Sequence, residues 1–337
     1  MKIALLSPIS WRTPPRKYGP WEQVASNIAE ELIEKGIDVT LFATGDSITK
    51  GKLEFVCERS YSEDPDIDPK VWECLHISNL MEQADKFDLI HNNFDFLPLT
   101  YSRLIKTPMI TTIHGFSSQK ILEVYKKYNC TTNYVSISNS DRSPELDYIA
   151  TVYNGINTND FTFCVDSKKY LLFFGRIHPE KGTFESIQIA KKSGRKLIIS
   201  GLIQDQEYFN IKVNPYINDD DIVYVGNSGP KERNILLGEA FALLHPISFD
   251  EPFGLSVAEA MLCGTPVIAF NKGSMPELIN DGKTGFLVNN IDEAVEKLSK
   301  VDSIDRKYCR EYAVSKFSRQ KMVEGYIDVY KKVLNLQ

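Results

Sequence analysis

The feature that most constrains this chain is an alternation of short apolar runs with segments of helical period. Residues 2–9 form an apolar run, followed by turn residues Thr13, Pro14, Pro15, Gly19 and Pro20. Trp21, Val24, Ala25, Ile28, Leu32 and Ile33 then recur at helical spacing, Gly36 stands where a helix-ending glycine belongs, and residues 37–43 read as a second strand. A strand, a helix and a second strand in that order form a crossover unit, which joins parallel strands. Further runs at 88–91, 109–114, 134–138 and 149–153 lack a polar alternation. Parallel strands covered on both faces look like this.

The pattern restarts after Asp160. Residues 170–177 read as a strand, 180–193 as a helix, and 196–201, 222–226, 240–246 and 266–270 as further strands. The last stretch of the chain is mostly helical by spacing. A chain of 337 residues suits two domains better than one core. The expectation is an α/β protein of two doubly wound, Rossmann-like parallel-sheet domains, 1–160 and 161–317, with a cleft between them. Ligands bind such sheets at the carboxyl ends of the strands. A net charge of −6 argues against a general nucleic-acid binder. The six cysteines show no CxxC spacing and read as reduced thiols. The first run is too short for a signal peptide, and none approaches the roughly 18 apolar residues of a membrane span.

Four loops carry the candidate chemistry. The first is Asp250-Glu251-Pro252-Phe253-Gly254-Leu255, which leads into a helix over 255–263. The amides of Phe253, Gly254 and Leu255 would lie at a helix N-terminus, where free N–H groups and the dipole favour an anion. Glu251 before the helix and Glu259 within it suit hydrogen bonds to sugar hydroxyls better than proton transfer. The second loop carries Arg176 and Lys181, separated by Ile177-His178-Pro179-Glu180. Both cations can reach one site and would stabilise charge developing on a diphosphate leaving group. His178 reads as a loop-positioning residue. The third loop holds Arg12, Arg16, Lys17, Tyr18 and Gly19, where a glycine lets backbone approach a ligand and the basic residues suit an anionic acceptor or phosphate. The fourth contains His114, which ends a strand beside Gly115 and could donate to a sugar hydroxyl. His91, Asn92 and Asn93, at the end of a neighbouring strand, are candidates for the acceptor side. Asp64–Asp68 and Asp219–Asp221 contain Asp-x-Asp spacings in polar loops and read as solvated.

These segments, in this order, resemble the retaining glycosyltransferases of family 4, which have the two-domain GT-B fold. The resemblance runs over nearly the whole chain, through 2–8, 112–115, Val152-Tyr153-Asn154-Gly155-Ile156-Asn157, 174–182, 236–246, 251–268 and 282–288. It implies that Arg176 and Lys181 hold the donor diphosphate, that Glu259 binds the ribose and that Glu251 faces the transferred sugar, with amides from Phe253, Gly254 and Leu255. It further implies that His114 contacts that sugar, that Gly19 lets the first loop close over the phosphates, and that a final helix over 318–337 crosses back to the N-terminal domain. Pro20 stands where relatives often have a second glycine, Gly273-Ser274 replaces a frequent Gly-Gly, and Gly rather than Asp follows His114.

The implied activity is hexosyl transfer with retention from a nucleotide diphosphate sugar, a UDP-sugar first and GDP-mannose second, to a hydroxyl of a saccharide or lipid-linked acceptor. A phosphate oxygen of the leaving group would take the acceptor proton, so no metal or other cofactor is expected. The expected location is the cytoplasm, with peripheral contact at the inner membrane surface left open and no oligomeric state set. A sugar phosphorylase, a nucleotide-sugar epimerase or hydrolase, and a non-catalytic carbohydrate-binding protein remain as alternatives.

Overall fold

A computed structural model of the chain describes residues 1–116 and 118–336. It divides into two compact units, Met1–Gly155 with Arg319–Gln337, and Ile156–Ser318.

The first unit is built on a seven-stranded parallel sheet. Its strands are β1 (Lys2–Leu6), β2 (Asp38–Phe42), β3 (Lys52–Glu54), β4 (Leu89–Asn92), β5 (Met109–Ile113), β6 (Asn133–Ser136) and β7 (Tyr148–Thr151), in the order β3-β2-β1-β4-β5-β6-β7. Ile3, Ala4, Leu5 and Leu6 are all fully buried, as an apolar run without alternation requires when helices cover both faces. Their register pairs Leu5 with Leu41 on one side and with His91 on the other. The order reverses between β1 and β4, so the carboxyl ends of these two strands open a crevice. Helix α1 (Pro20–Glu34) returns the chain from β1 to β2 and buries Val24, Ala25, Ile28, Ala29 and Leu32. It starts with a proline at its first position and stops at Gly36, whose amide and that of Ile37 close back on Ile33 and Leu32. Helices α2 (Pro69–Met81) and α3 (Leu122–Tyr128) complete the N-terminal part.

The second unit repeats the plan with six parallel strands. They are β8 (Leu171–Phe174), β9 (Leu197–Ser200), β10 (Ile222–Tyr224), β11 (Ala242–His245), β12 (Val267–Phe270) and β13 (Gly285–Val288), in the order β10-β9-β8-β11-β12-β13. The reversal falls between β8 and β11, the two strands that precede the Arg176–Lys181 and Glu251 loops. Its helices are α4 (Thr183–Ser193), α5 (Gln206–Tyr208, running into a wider turn over Phe209–Val213), α6 (Pro230–Glu239), α7 (Leu255–Leu262), α8 (Met275–Leu278), α9 (Ile291–Leu298) and α10 (Arg306–Phe317).

The last helix, α11 (Arg319–Val333), belongs to the first unit. It buries Met322, Val323, Tyr326, Val329 and Tyr330, and Arg319 pairs with Glu31 and Glu34 of α1 at 3.0 and 2.6 Å. All six cysteines are free. Among the described residues no helix is long and apolar enough to cross a membrane.

Candidate functional site

In the second unit two loops meet. The chain leaves β8 through Gly175 and Arg176, makes a short turn over Pro179–Lys181 and enters α4. His178 caps that turn, its Nδ1 accepting the Glu180 amide at 3.4 Å, so it does position the loop. Gly182 has φ +76, and a Cβ there would lie 2.0 Å from the Pro246 carbonyl oxygen. Only a glycine permits this approach, and it brings Lys181 against the segment that follows β11. The Ser248 amide bonds the Glu180 carbonyl at 2.9 Å and fixes the two loops together.

Lys181 Nζ donates to Glu251 Oε2, and the ammonium lies 4.9 Å from the centre of the Phe249 ring. Both side chains of the pair are largely buried, 12% and 13% exposed. Burial alone would raise the Glu251 pKa. The Lys181 ammonium, with His245 Nε2 3.7 Å away, more than offsets this and holds the carboxyl at about 2. Burial holds His245 below the ordinary histidine range, against the pull of Glu251. Arg176 donates to the Gln204 side chain.

The Glu251 loop is also held from its other side. Ser274 donates its amide to the Glu251 carbonyl at 3.0 Å and its hydroxyl to the Phe253 carbonyl at 2.6 Å, and Gly273 donates to Asp250 Oδ1 at 3.1 Å. Gly273 has φ +52, and a Cβ there would stand 2.4 Å from the Glu251 nitrogen. Gly254, at φ +93, is the N-cap of α7, so Leu255 opens the helix and the first amides of α7 have no partner within the helix. Glu259, one turn further on, is 5% exposed and pairs with Arg233 Nη1 at 3.1 Å. Burial raises its pKa, and Arg233 opposes that rise. Lys181, Glu251 and the N-terminus of α7 therefore come together, while Arg176 and Glu259 are held by Gln204 and Arg233. That is a site for an anion flanked by groups able to accept from hydroxyls.

The first unit gathers a different set at the carboxyl ends of β1, β4 and β5. Gly19 is the N-cap of α1 and packs on Pro15 and Trp11. Glu22, in the first turn of α1, is buried and accepts the Trp11 amide at 3.0 Å, which ties the first loop to the helix. Burial pushes its carboxyl up to about 7, against the hydrogen bonds it accepts. Trp21 stacks on His114 with ring centres 5.7 Å apart. His114 Nε2 lies 3.0 Å from Asn93 Oδ1. The tautomer protonated at Nε2 lets that oxygen accept and leaves Nδ1 as an acceptor.

The structure corrects three expectations. His91 does not face an acceptor: it is fully buried, Nδ1 bonds the Tyr330 hydroxyl and Nε2 the Thr112 hydroxyl, both at 2.8 Å. Asn92 is equally buried and spends its side chain on Asp95, Thr111 and the Phe94 amide, shaping the turn after β4. Arg16 is paired with Asp46 at 2.9 Å and Glu63 at 2.5 Å, so its charge is neutralised within its own surroundings. Lys17 stands exposed beside it, and Tyr18 meets Trp11 edge to face. The two aspartate clusters lie in turns, where Asp68 caps α2 and Asp64 accepts the Asp66 amide.

Sequence comparison supplies the family. The model of "Glycosyl transferases group 1" matches residues 160–316, and that of "Glycosyltransferase Family 4" matches residues 21–160. The chain is a family 4 glycosyltransferase with the GT-B fold. A Klebsiella pneumoniae protein named for the cps region is 34% identical over 64% of this chain and 56% of its own length. A glycosyltransferase of Methanocaldococcus jannaschii is 24% identical over 100% of this chain and 99% of its own. Among solved structures, the sucrose-phosphate synthase of Thermosynechococcus elongatus superposes with a TM-score of 0.80 at 18% identity over 99% of both chains. Anabaena HepE, solved with UDP and glucose, gives 0.74 at 20% identity over 98% of this chain and 99% of that one.

Several groups that shape the site of this glycosyltransferase escape the sequence reading. Gln204, Arg233 and Trp21 lie far along the chain from Arg176, Glu259 and His114, which they touch, whereas His245 and Glu22 lie close in sequence to Glu251 and Trp11. Gln204 sits beyond the end of β9, a position that could have marked it, as the end of β4 marks Asn93.

Proposed function

We propose that this glycosyltransferase moves a hexosyl group, with retention, from a nucleotide diphosphate sugar to a hydroxyl of a saccharide or lipid-linked acceptor. A UDP-sugar is the first choice of donor and GDP-mannose the second. The observation that carries the reading is the buried Lys181–Glu251 pair beside the N-terminus of α7, with Arg176 on the same loop system. Without substrate the ammonium and the carboxylate neutralise each other. A diphosphate takes over Lys181, with Arg176 and the α7 amides, and these stabilise the charge that develops as the glycosidic bond to phosphate breaks. Glu251, released from Lys181, accepts from hydroxyls of the transferred sugar, and Glu259 accepts from the ribose while Arg233 keeps it oriented.

Proton transfer falls to the departing phosphate, which takes the acceptor proton as the acceptor attacks on the face that the nucleotide leaves. The reaction then needs no divalent ion from the protein. The HepE structure with UDP and glucose supports the first donor choice, and a relative named O-antigen chain mannosyltransferase B from Escherichia coli supports mannose as the alternative sugar and a role in glycan synthesis.

A metal-free thermal-shift panel of UDP, GDP, ADP and their sugar conjugates tests this. One nucleotide is expected to raise the melting temperature selectively. Arg176→Ala with Lys181→Met is expected to abolish that shift. A shift retained in the double variant would remove both residues from the donor site.

A further inference from the structure

Asn93 and His114 form a buried pair whose outward atoms have no partner among the described residues. Asn93 is 0% exposed and His114 7%. One contact joins them, His114 Nε2 to Asn93 Oδ1 at 3.0 Å. Asn93 Nδ2 and His114 Nδ1 are both buried and unpaired. Leaving a donor and an acceptor dry and unmatched is costly, and a folded chain keeps such atoms where a ligand meets them. The position agrees. Asn93 directly follows β4, His114 directly follows β5, and the Asn93 amide is anchored to the Leu6 carbonyl of β1 at 2.9 Å, at the point where the strand order reverses. Trp21 covers one face of the imidazole.

We propose that Asn93 is a positioning and specificity residue of this enzyme: it holds His114 in the tautomer whose Nδ1 accepts, and it offers its own Nδ2–H beside that lone pair, so the pair reads a neutral sugar hydroxyl. The inference rests on the transferase reading above. Burial keeps His114 uncharged, with its pKa at about 3, so the pair presents one donor and one acceptor and no cation for a carboxylate. A hydroxyl, which both donates and accepts, satisfies both atoms. The hydroxyl belongs either to the transferred sugar or to the acceptor.

The test uses the full chain at pH 8, with Asn93→Asp and Asn93→Leu. Imidazole 15N spectra report the tautomer directly. Nε2–H is expected in the parent and in Asn93→Asp, whose carboxylate still accepts, and a mixture is expected in Asn93→Leu. An Nδ1–H parent, or an unchanged ring in Asn93→Leu, overturns the positioning role. Melting-temperature shifts then separate the two sources: UDP-glucose against UDP for the transferred sugar, and methyl glucoside alone for the acceptor. A sugar-dependent shift present in the parent and absent in Asn93→Asp, which lacks the N–H donor, supports the hydroxyl reading and names its source. A sugar shift retained in Asn93→Asp, or absent from a parent that UDP does shift, overturns it. UDP alone is expected to shift parent and variants equally. Loss of that UDP shift in the parent would overturn the UDP-donor reading instead, while the ring spectra still decide the role of Asn93.

Discussion

Lys181 and Glu251 illustrate how a residue can serve both fold and site. Breaking a largely buried ion pair by removing one partner costs about 3–5 kcal/mol, because the other charge stays behind without compensation. Lys181→Met is therefore expected to destabilise the second unit by about 3 kcal/mol at pH 7. The pH dependence gives the sign. With the pair intact, the Glu251 pKa lies below its ordinary 4.5, so its stabilisation is complete above pH 4.5 and is lost as pH falls through about 2. Without Lys181, burial dominates and raises the pKa. The folded state then favours the protonated acid, and stability is lost as pH rises instead. Urea denaturation at pH 4 and pH 7 should show the deficit of Lys181→Met shrinking at the lower pH. An equal deficit at both would mean the pair does not set the carboxyl. His91 offers the contrasting case. Its replacement by Phe strands the Tyr330 hydroxyl and takes one of the two partners of the Thr112 hydroxyl, which keeps Tyr326, and a cost of about 1–3 kcal/mol is expected. Nucleotide-induced melting shifts should be unchanged, because His91 touches only the interior of the first unit.

At the scale of elements, the site depends on loops that glycine lets approach one another. A Cβ on Gly273 would collide with the Glu251 nitrogen and carbonyl oxygen, at 2.4 and 2.6 Å, in a backbone region that disfavours a side chain. Gly273→Ala should therefore move the Glu251 loop off Lys181. The expected result is loss of the nucleotide-induced shift with a stability cost of about 2 kcal/mol or more. A retained shift would show that the loop relocates as a unit. Much of this layout is legible in sequence for a physical reason. A strand buried on both faces must be an apolar run, so β1, β2, β4, β5, β8, β9, β11 and β12 stand out, and the loops at their carboxyl ends carry Arg176, Lys181 and Glu251. The strand β3 is not legible: Lys52-Leu53-Glu54 lies at the sheet edge with both charged residues exposed, so it needs no apolar pattern. Arg233 is hidden for another reason. It sits on a helix that buries only Leu237 and Gly238, and nothing in its neighbours announces Glu259 as a partner. His91 shows the converse hazard: a strand-end histidine looks like a ligand until the tyrosines of α11, from the far end of the chain, are seen to enclose it.

At the scale of the molecule, the chain leaves its first unit at Gly155, builds the second whole, and returns at Arg319 to finish the first. The helix α11 is thus an integral layer of the N-terminal sheet domain, despite its place at the end of the sequence. It inserts Tyr326 and Tyr330 against His91 and Thr112 and seats Met322 beside the Gly155 amide, 2.9 Å from its sulfur. Arg319 adds two ion pairs to α1, one of them to the buried Glu31. Cutting the chain after Ser318 removes all of this at once. It exposes the apolar face under α11, takes one hydroxyl partner each from His91 and Thr112, and leaves the buried Glu31 with Lys35 alone, at 3.8 Å. Each loss falls in the first unit. The second unit keeps its six strands, its Lys181–Glu251 pair and the N-terminus of α7. The truncated chain is therefore expected to lose hydrogen-exchange protection across residues 1–155 while keeping it across 156–318, and to retain the melting shift from a nucleotide alone. Equal loss of protection in both units would mean that the second sheet cannot stand without the first, and the two would then have to be treated as one cooperative structure.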